Sequence, residues 1–124
     1  MARILVVDDD DLMQELILFG LEAEGHAVTV VSDGQQALTH LDQEPVDLMV
    51  VDLYMPVMDG IRFLTEVRDR LADPPAAVVL SGSTEAGLEQ QVRDLGAYDL
   101  LRKPIGAAAL KAKVAEALSG PSGP

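Results

Sequence analysis

Four short apolar runs rich in β-branched residues, Ile4–Val7, Val28–Val31, Leu48–Val51 and Ala76–Leu80, and a fifth stretch at Leu100–Leu101, alternate with segments of helical periodicity. A strand that is apolar at every position, rather than at every second one, must be buried on both faces. Between the runs, apolar residues recur every three or four positions: Met13, Leu16, Ile17, Gly20 and Leu21; Ala37, Leu38 and Leu41; Ile61, Leu64, Val67 and Leu71; Leu88, Val92 and Leu95; Ala107, Leu110, Val114 and Leu118. Each of these segments suits an amphipathic helix. Alternation of this kind predicts an α/β fold, a parallel sheet covered by helices on both faces. The punctuation agrees: Gly25 follows the first helix, Asp33 and Gly34 open the second, Pro45 follows it, and Gly96 stands where the fourth ends.

At 124 residues the chain suits one folded domain, expected over residues 3–118, with the Ser, Gly and Pro of 119–124 as a flexible tail or linker. Cysteine is absent, which removes disulfides, thiolate nucleophiles and sulfur-ligated zinc sites. Nine basic against 21 acidic residues leave a net charge of −12, and four aromatic rings, Phe19, Tyr54, Phe63 and Tyr98, make no platform for stacking bases. Direct binding of nucleic acid is therefore not expected. No apolar run approaches the ~20 residues of a membrane span and no secretory leader is visible, so a cytoplasmic setting is expected.

The chemistry gathers at one end of the strands. Asp8 and Asp9 follow the first run, Asp52 the third, Ser81 the fourth and Lys103 the fifth. All stand at carboxyl ends, the edge where open α/β sheets bind ligands. Carboxylates brought together repel unless a cation joins them, so a divalent metal is implied. A set of oxygen ligands without His or Cys favours Mg2+, with positions left for water and phosphate oxygens. Beside such an ion an aspartate can attack a phosphoryl group, and Asp52 is the nucleophile candidate. Lys103 would bring a mobile positive charge and Ser81 a hydroxyl donor toward the phosphoryl oxygens, with Gly82 leaving room.

Taken together, Ile4-Leu5-Val6-Val7-Asp8-Asp9-Asp10, Asp47 through Asp52 to Met55-Pro56 and Asp59-Gly60, Leu80-Ser81-Gly82 and Lys103-Pro104 resemble the receiver domain of two-component response regulators. The resemblance covers nearly the whole chain. It implies a flavodoxin-like, doubly wound five-stranded sheet in the order 2-1-3-4-5 with five helices. It further implies that Asp52 accepts phosphate from a histidine kinase or a histidine phosphotransfer protein, and that Asp8, Asp9, Asp52 and the Tyr54 backbone carbonyl bind Mg2+, Asp9 as the direct acidic ligand. Ser81 and Lys103 match the hydroxyl and Lys-Pro positions of the family. The domain would catalyse only its own phosphorylation and hydrolysis and would switch a protein-interaction face toward an unspecified output protein, with dimerisation on phosphorylation left open.

One departure stands out. Three residues before Lys103 such domains usually carry Tyr or Phe, and here the residue is Leu100. Tyr98, two residues earlier, would share a face with Leu100 within a strand and is read as covering the sheet edge. Coupling to the face of the fourth helix, fifth strand and fifth helix is then expected to be weaker, a shift of population. Asp10, Asp11, Asp59 and Gly60 read as helix caps and turns, and His26 and His40 as surface residues with no metal pattern. The Tyr54 side chain is expected to shield the acceptor from water. Three other readings compete. Asp8-x-Asp10 also resembles the haloacid-dehalogenase nucleophile motif, but Leu12 stands where a small hydroxyl or Val is expected. A flavin carrier would be repelled by four consecutive aspartates. A phosphate-independent receiver-like interaction module is the alternative that Leu100 makes less remote.

Overall fold

The structure, a computed structural model, describes residues 2–55, 57–83 and 85–119. Pro56 of the quoted motif, and residues 120–124 of the expected tail, lie outside them. The order is β1 (Arg3–Val7), α1 (Asp11–Ala23), β2 (Ala27–Val31), α2 (Gly34–Gln43), β3 (Leu48–Asp52), α3 (Gly60–Arg70), β4 (Ala76–Ser81), α4 (Leu88–Asp94), β5 (Asp99–Arg102) and α5 (Ala107–Ser119). All four strand pairings are parallel, and the sheet order is β2-β1-β3-β4-β5. The α/β class, the order and the five helices agree with the reading from sequence.

Strand alternation divides the apolar runs between two cores. Leu5, Val7, Met49, Val51, Ala77 and Val79 pack with Leu38 of α2, Phe63, Leu64 and Val67 of α3, and Leu88 and Val92 of α4. Ile4, Val6, Leu48, Val50, Val78 and Leu80 pack with Ile17 and Leu21 of α1 and Leu110 and Val114 of α5. Successive strand residues face opposite sides, so a sheet with helices on both faces needs continuous apolar strands. β3, in the middle, is buried at every position, Asp52 included.

Side chains at the turns fix where the helices start. Asp10 caps α1, accepting from the Leu12 and Met13 amides, Asp33 caps α2 through the Gln36 amide, and Asp59 caps α3 through the Arg62 amide. Gly25 and Gly96, at φ +90° and +101°, turn the chain after α1 and α4 in the left-handed region that glycine enters freely. At the amino-terminal edge of the sheet, Ala2 shares a groove with Pro74, Pro75, Ala117 and Leu118. His26 lies on that side too, where its Nδ1 accepts from the Ala2 amide at 3.2 Å.

Candidate functional site

Register brings the site together. Val7 pairs with Val51, so Asp8 and Asp52 leave β1 and β3 side by side; Asp52 pairs with Leu80, and Ser81 with Arg102, which sets Ser81 and Lys103 one step further along. Backbone bonds carry the ladder past the strand ends: Leu53 N–H donates to the Leu80 carbonyl at 2.9 Å and Lys103 N–H to the Ser81 carbonyl at 2.8 Å.

Asp8, Asp52 and Ser81 are the buried polar residues among those described. One carboxylate oxygen from each of Asp8, Asp9 and Asp52 lies within 4.8 Å of the others. Asp8 Oδ1 accepts from the Asp10 amide at 2.9 Å, whereas its Oδ2 is buried without a hydrogen-bond partner among the described residues. Lys103 Nζ stands 3.3 Å from Asp52 Oδ1 and 3.7 Å from Asp8 Oδ2. The Tyr54 amide approaches Asp52 Oδ1 at 3.5 Å, and the Tyr54 side chain is exposed. Burial pushes the Asp8 carboxyl above the ordinary aspartate range, against the Asp10 amide and the Lys103 charge. Burial, followed by the Asp8 charge, pushes Asp52 up as well, with Lys103 opposing. A lone ammonium thus faces two buried carboxylates, and the orphaned Asp8 Oδ2 marks a place where a hard cation fits.

Ser81 is fully buried, and its Oγ accepts from the Ser83 amide at 3.0 Å. Among the described residues, nothing stands within 4 Å of where a Cβ on Gly82 would sit. The Lys103–Pro104 bond is cis. Gly60 is more than a turn residue, because a Cβ there would meet Leu53 Cα at 2.8 Å and the Asp52 carbonyl oxygen at 2.9 Å. Its amide donates to the Leu53 carbonyl at 2.8 Å, drawing the first turn of α3 under the end of β3.

Leu100 and Tyr98 do not share a face. β5 begins at Asp99, which leaves Tyr98 before the strand, outside the alternation that the spacing argument assumes. Leu100 is buried in the core beneath α3 and α4, whereas Tyr98 packs on the α5 side and donates its hydroxyl to Glu116 Oε1 at 2.7 Å. Beside them Asp99 bridges two helices, with Arg93 of α4 at 2.7 Å and Lys113 of α5 at 2.8 Å.

Three site neighbours carry no motif. Gln14 of α1 donates to the Asp8 carbonyl and to Ser32 Oγ, the latter at 3.3 Å, and Arg102 donates to the Ser83 carbonyl at 2.8 Å. Gln14 and Arg102 sit on regular elements at positions where any polar side chain satisfies the pattern, and Ser83 lies in a loop without one.

A family model described as the response regulator receiver domain matches residues 4–115. The response regulator RR06 of Streptococcus pneumoniae is 37% identical over 103 residues, 83% of this chain and 46% of its own length. The alkaline phosphatase synthesis transcriptional regulatory protein PhoP of Bacillus subtilis is 34% identical over 116 residues, 90% of this chain and 46% of its own length. The chain thus spans about half the length of these curated relatives. Among solved structures, the receiver domain of the Francisella response regulator 1452 superposes with a TM-score of 0.87 at 28% identity, covering 94% of this chain and 95% of that one. The chemotaxis response regulator CheY4 of Vibrio cholerae does so with a TM-score of 0.85 at 27% identity, covering 94% and 98%.

Proposed function

This chain belongs to the response regulator receiver domain family, and from that premise we propose that Asp52 is its phosphoacceptor, served by Lys103, Ser81 and a Mg2+ site of Asp8, Asp9, Asp52 and the Tyr54 carbonyl. The observation that carries this reading is the Lys103 ammonium 3.3 Å from Asp52 Oδ1, beside three carboxylates whose oxygens lie within 4.8 Å. The donor would be a phosphohistidine on a histidine kinase or a histidine phosphotransfer protein. Asp52 attacks phosphorus, the P–N bond to the imidazole breaks as the P–O bond forms, and the released nitrogen is left free to take up a proton. Bound Mg2+ would supply positive charge to the clustered carboxylates and to the phosphoryl oxygens.

The chain's own groups do the rest. Lys103 follows the negative charge from the carboxylate onto the phosphoryl oxygens. The Ser81 hydroxyl leaves the Ser83 amide and donates to the phosphoryl group, which alters the loop leading into α4. Later, water attacks phosphorus, the P–O bond to Asp52 breaks and inorganic phosphate leaves; exposed Tyr54 limits that approach. The domain thus signals, and the only reactions it catalyses are its own. The receiver takes in residues 3–118; Ser119, expected in the tail, is the last residue of α5, and the segment after it would serve as a linker or tail. The setting is the cytoplasm; among the described residues no helix is long and apolar enough to cross a membrane. Output runs through the face of α4, β5 and α5, to a protein or an attached domain, with pairing of phosphorylated copies as one route.

A second reading, an interaction module that does not use phosphate, draws on Leu100, which fills the core where a mobile ring is usual in the family. Intact mass after incubation with acetyl phosphate, with and without Mg2+, tests both. A Mg2+-dependent phosphate adduct in the wild type and none in Asp52→Asn is the expected result. No adduct in folded wild type would leave the module.

A further inference from the structure

Among the candidate metal ligands, Asp9 is the one whose aim is unexplained. Asp8 is held by burial and by the Asp10 amide on its Oδ1. The Asp9 side chain is exposed and, among the described residues, makes no hydrogen bond through its carboxylate. With no hydrogen bond of its own, the only thing that aims it is the direction of its Cα–Cβ bond, which the backbone sets. The Asp8 carbonyl belongs to the same planar peptide unit as the Asp9 amide, so gripping that oxygen fixes the plane from which the Asp9 Cα emerges.

Gln14 provides the grip. It closes the first turn of α1, and helical side chains lean toward the amino terminus, which points its amide back at the β1–α1 turn. A primary amide offers two hydrogens, and both are used here, one on the Asp8 carbonyl and one on Ser32 Oγ. Ser32 is anchored in turn, since its amide donates to Gln36 Oε1 at 2.9 Å, and the Gln36 amide donates to Asp33 Oδ1 at 2.9 Å. The turn carrying the acid pair is thereby tied to the capped start of α2. We propose that Gln14 is a positioning residue for the metal site, aiming Asp9 through the Asp8–Asp9 peptide; this rests on the phosphoacceptor reading above.

The test is a Mg2+ titration of the full chain followed by calorimetry, and beside it the Mg2+ dependence of adduct formation with acetyl phosphate. Gln14→Met keeps the length and loses both hydrogens. Expected are a Mg2+ affinity lowered by about tenfold, as for other groups that orient metal ligands, a matching rise in half-saturating Mg2+, an unchanged plateau rate and an unchanged melting temperature. Unchanged affinity in folded Gln14→Met overturns the inference, and so does a lower plateau at unchanged half-saturation. If Gln14→Met fails to fold, Ser32→Ala, which removes the outer acceptor at an exposed position, decides: weaker Mg2+ binding supports the inference, equal binding overturns it. A wild type with normal Mg2+-dependent adduct confines such a failure to Gln14, whereas a wild type that neither binds Mg2+ nor forms the adduct overturns the phosphoacceptor reading with it.

Discussion

Lys103 Nζ reaches Asp52 Oδ1 at 3.3 Å across the end of β4, the strand that separates β3 from β5. This ion pair links the two sides of the site and offsets the repulsion between Asp52 and Asp8. Lys103→Met leaves two buried carboxylates without a protein cation, so a stability loss of about 1–3 kcal/mol is expected at neutral pH. The loss shrinks in acid, where both carboxyls protonate and need no partner. Urea unfolding at two pH values checks the direction, and intact mass shows the accompanying fall in phosphate adduct.

Asp52→Asn has the opposite effect on stability. Burial raises the Asp52 pKa in the folded state, so between the ordinary aspartate value and the raised one the folded protein holds more protons than the unfolded chain. Wild-type stability therefore carries a penalty that grows as pH rises through that window. Without divalent cations the variant is expected to be more stable than wild type at neutral pH, with the advantage gone below about pH 4, the ordinary aspartate range. Added Mg2+ narrows the difference by stabilising the wild type. Thermal melts across pH, with chelator and with Mg2+, measure both effects.

Gly60→Ala tests the close packing under β3. The added methyl meets Leu53 Cα and the Asp52 carbonyl oxygen at under 3 Å, and neither backbone atom can swing aside as a flexible side chain would. A stability loss of about 1–3 kcal/mol is expected, with slower adduct formation because the segment carrying Asp52 must move.

Tyr54→Ala tests shielding of the acceptor. Tyr54 follows Asp52 by two residues, and its side chain is exposed at the rim. Loss of the ring is expected to shorten the aspartyl-phosphate lifetime severalfold, read as decay of the adduct after the donor is removed. An equal lifetime would assign the protection to the backbone alone.

The proposed output face can be followed by amide chemical shifts. Leu100 is already buried, so no ring can swing inward on phosphorylation. Shifts over Asp99–Arg102 and α4 are expected to move along lines between two states, short of a complete exchange. Unchanged shifts there would remove α4, β5 and α5 as the route of output.

The fold was legible because the inner strands, buried on both faces, read as continuous apolar runs, Ile4–Val7 and Leu48–Val51, whereas the edge strand β2 is only half-buried, with Thr29 exposed, and is marked instead by its β-branched residues between Gly25 and Asp33. The candidate site was legible because its groups all follow those runs, so locating the strands brought Asp8, Asp9, Asp52, Ser81 and Lys103 to one edge of the sheet. Spacing alone did not reveal contacts that depend on the third dimension. Gly60 looks like any turn glycine until the carbonyl of Asp52 lies against it. Gln14 looks like any half-buried polar residue on α1. Spacing puts Tyr98 on the face of Leu100, which fails because β5 starts only at Asp99, and strand ends are what periodicity locates least well.

The groove shared by Ala2, Ala117 and Leu118 lies at the opposite edge of the sheet from Asp52. Anything joined at either end of the domain therefore enters from behind. An affinity tag, a fluorophore or a neighbouring module can be exchanged there at a distance from Asp52, and a circular permutation joining Ala2 to Leu118 would need only a short bridge.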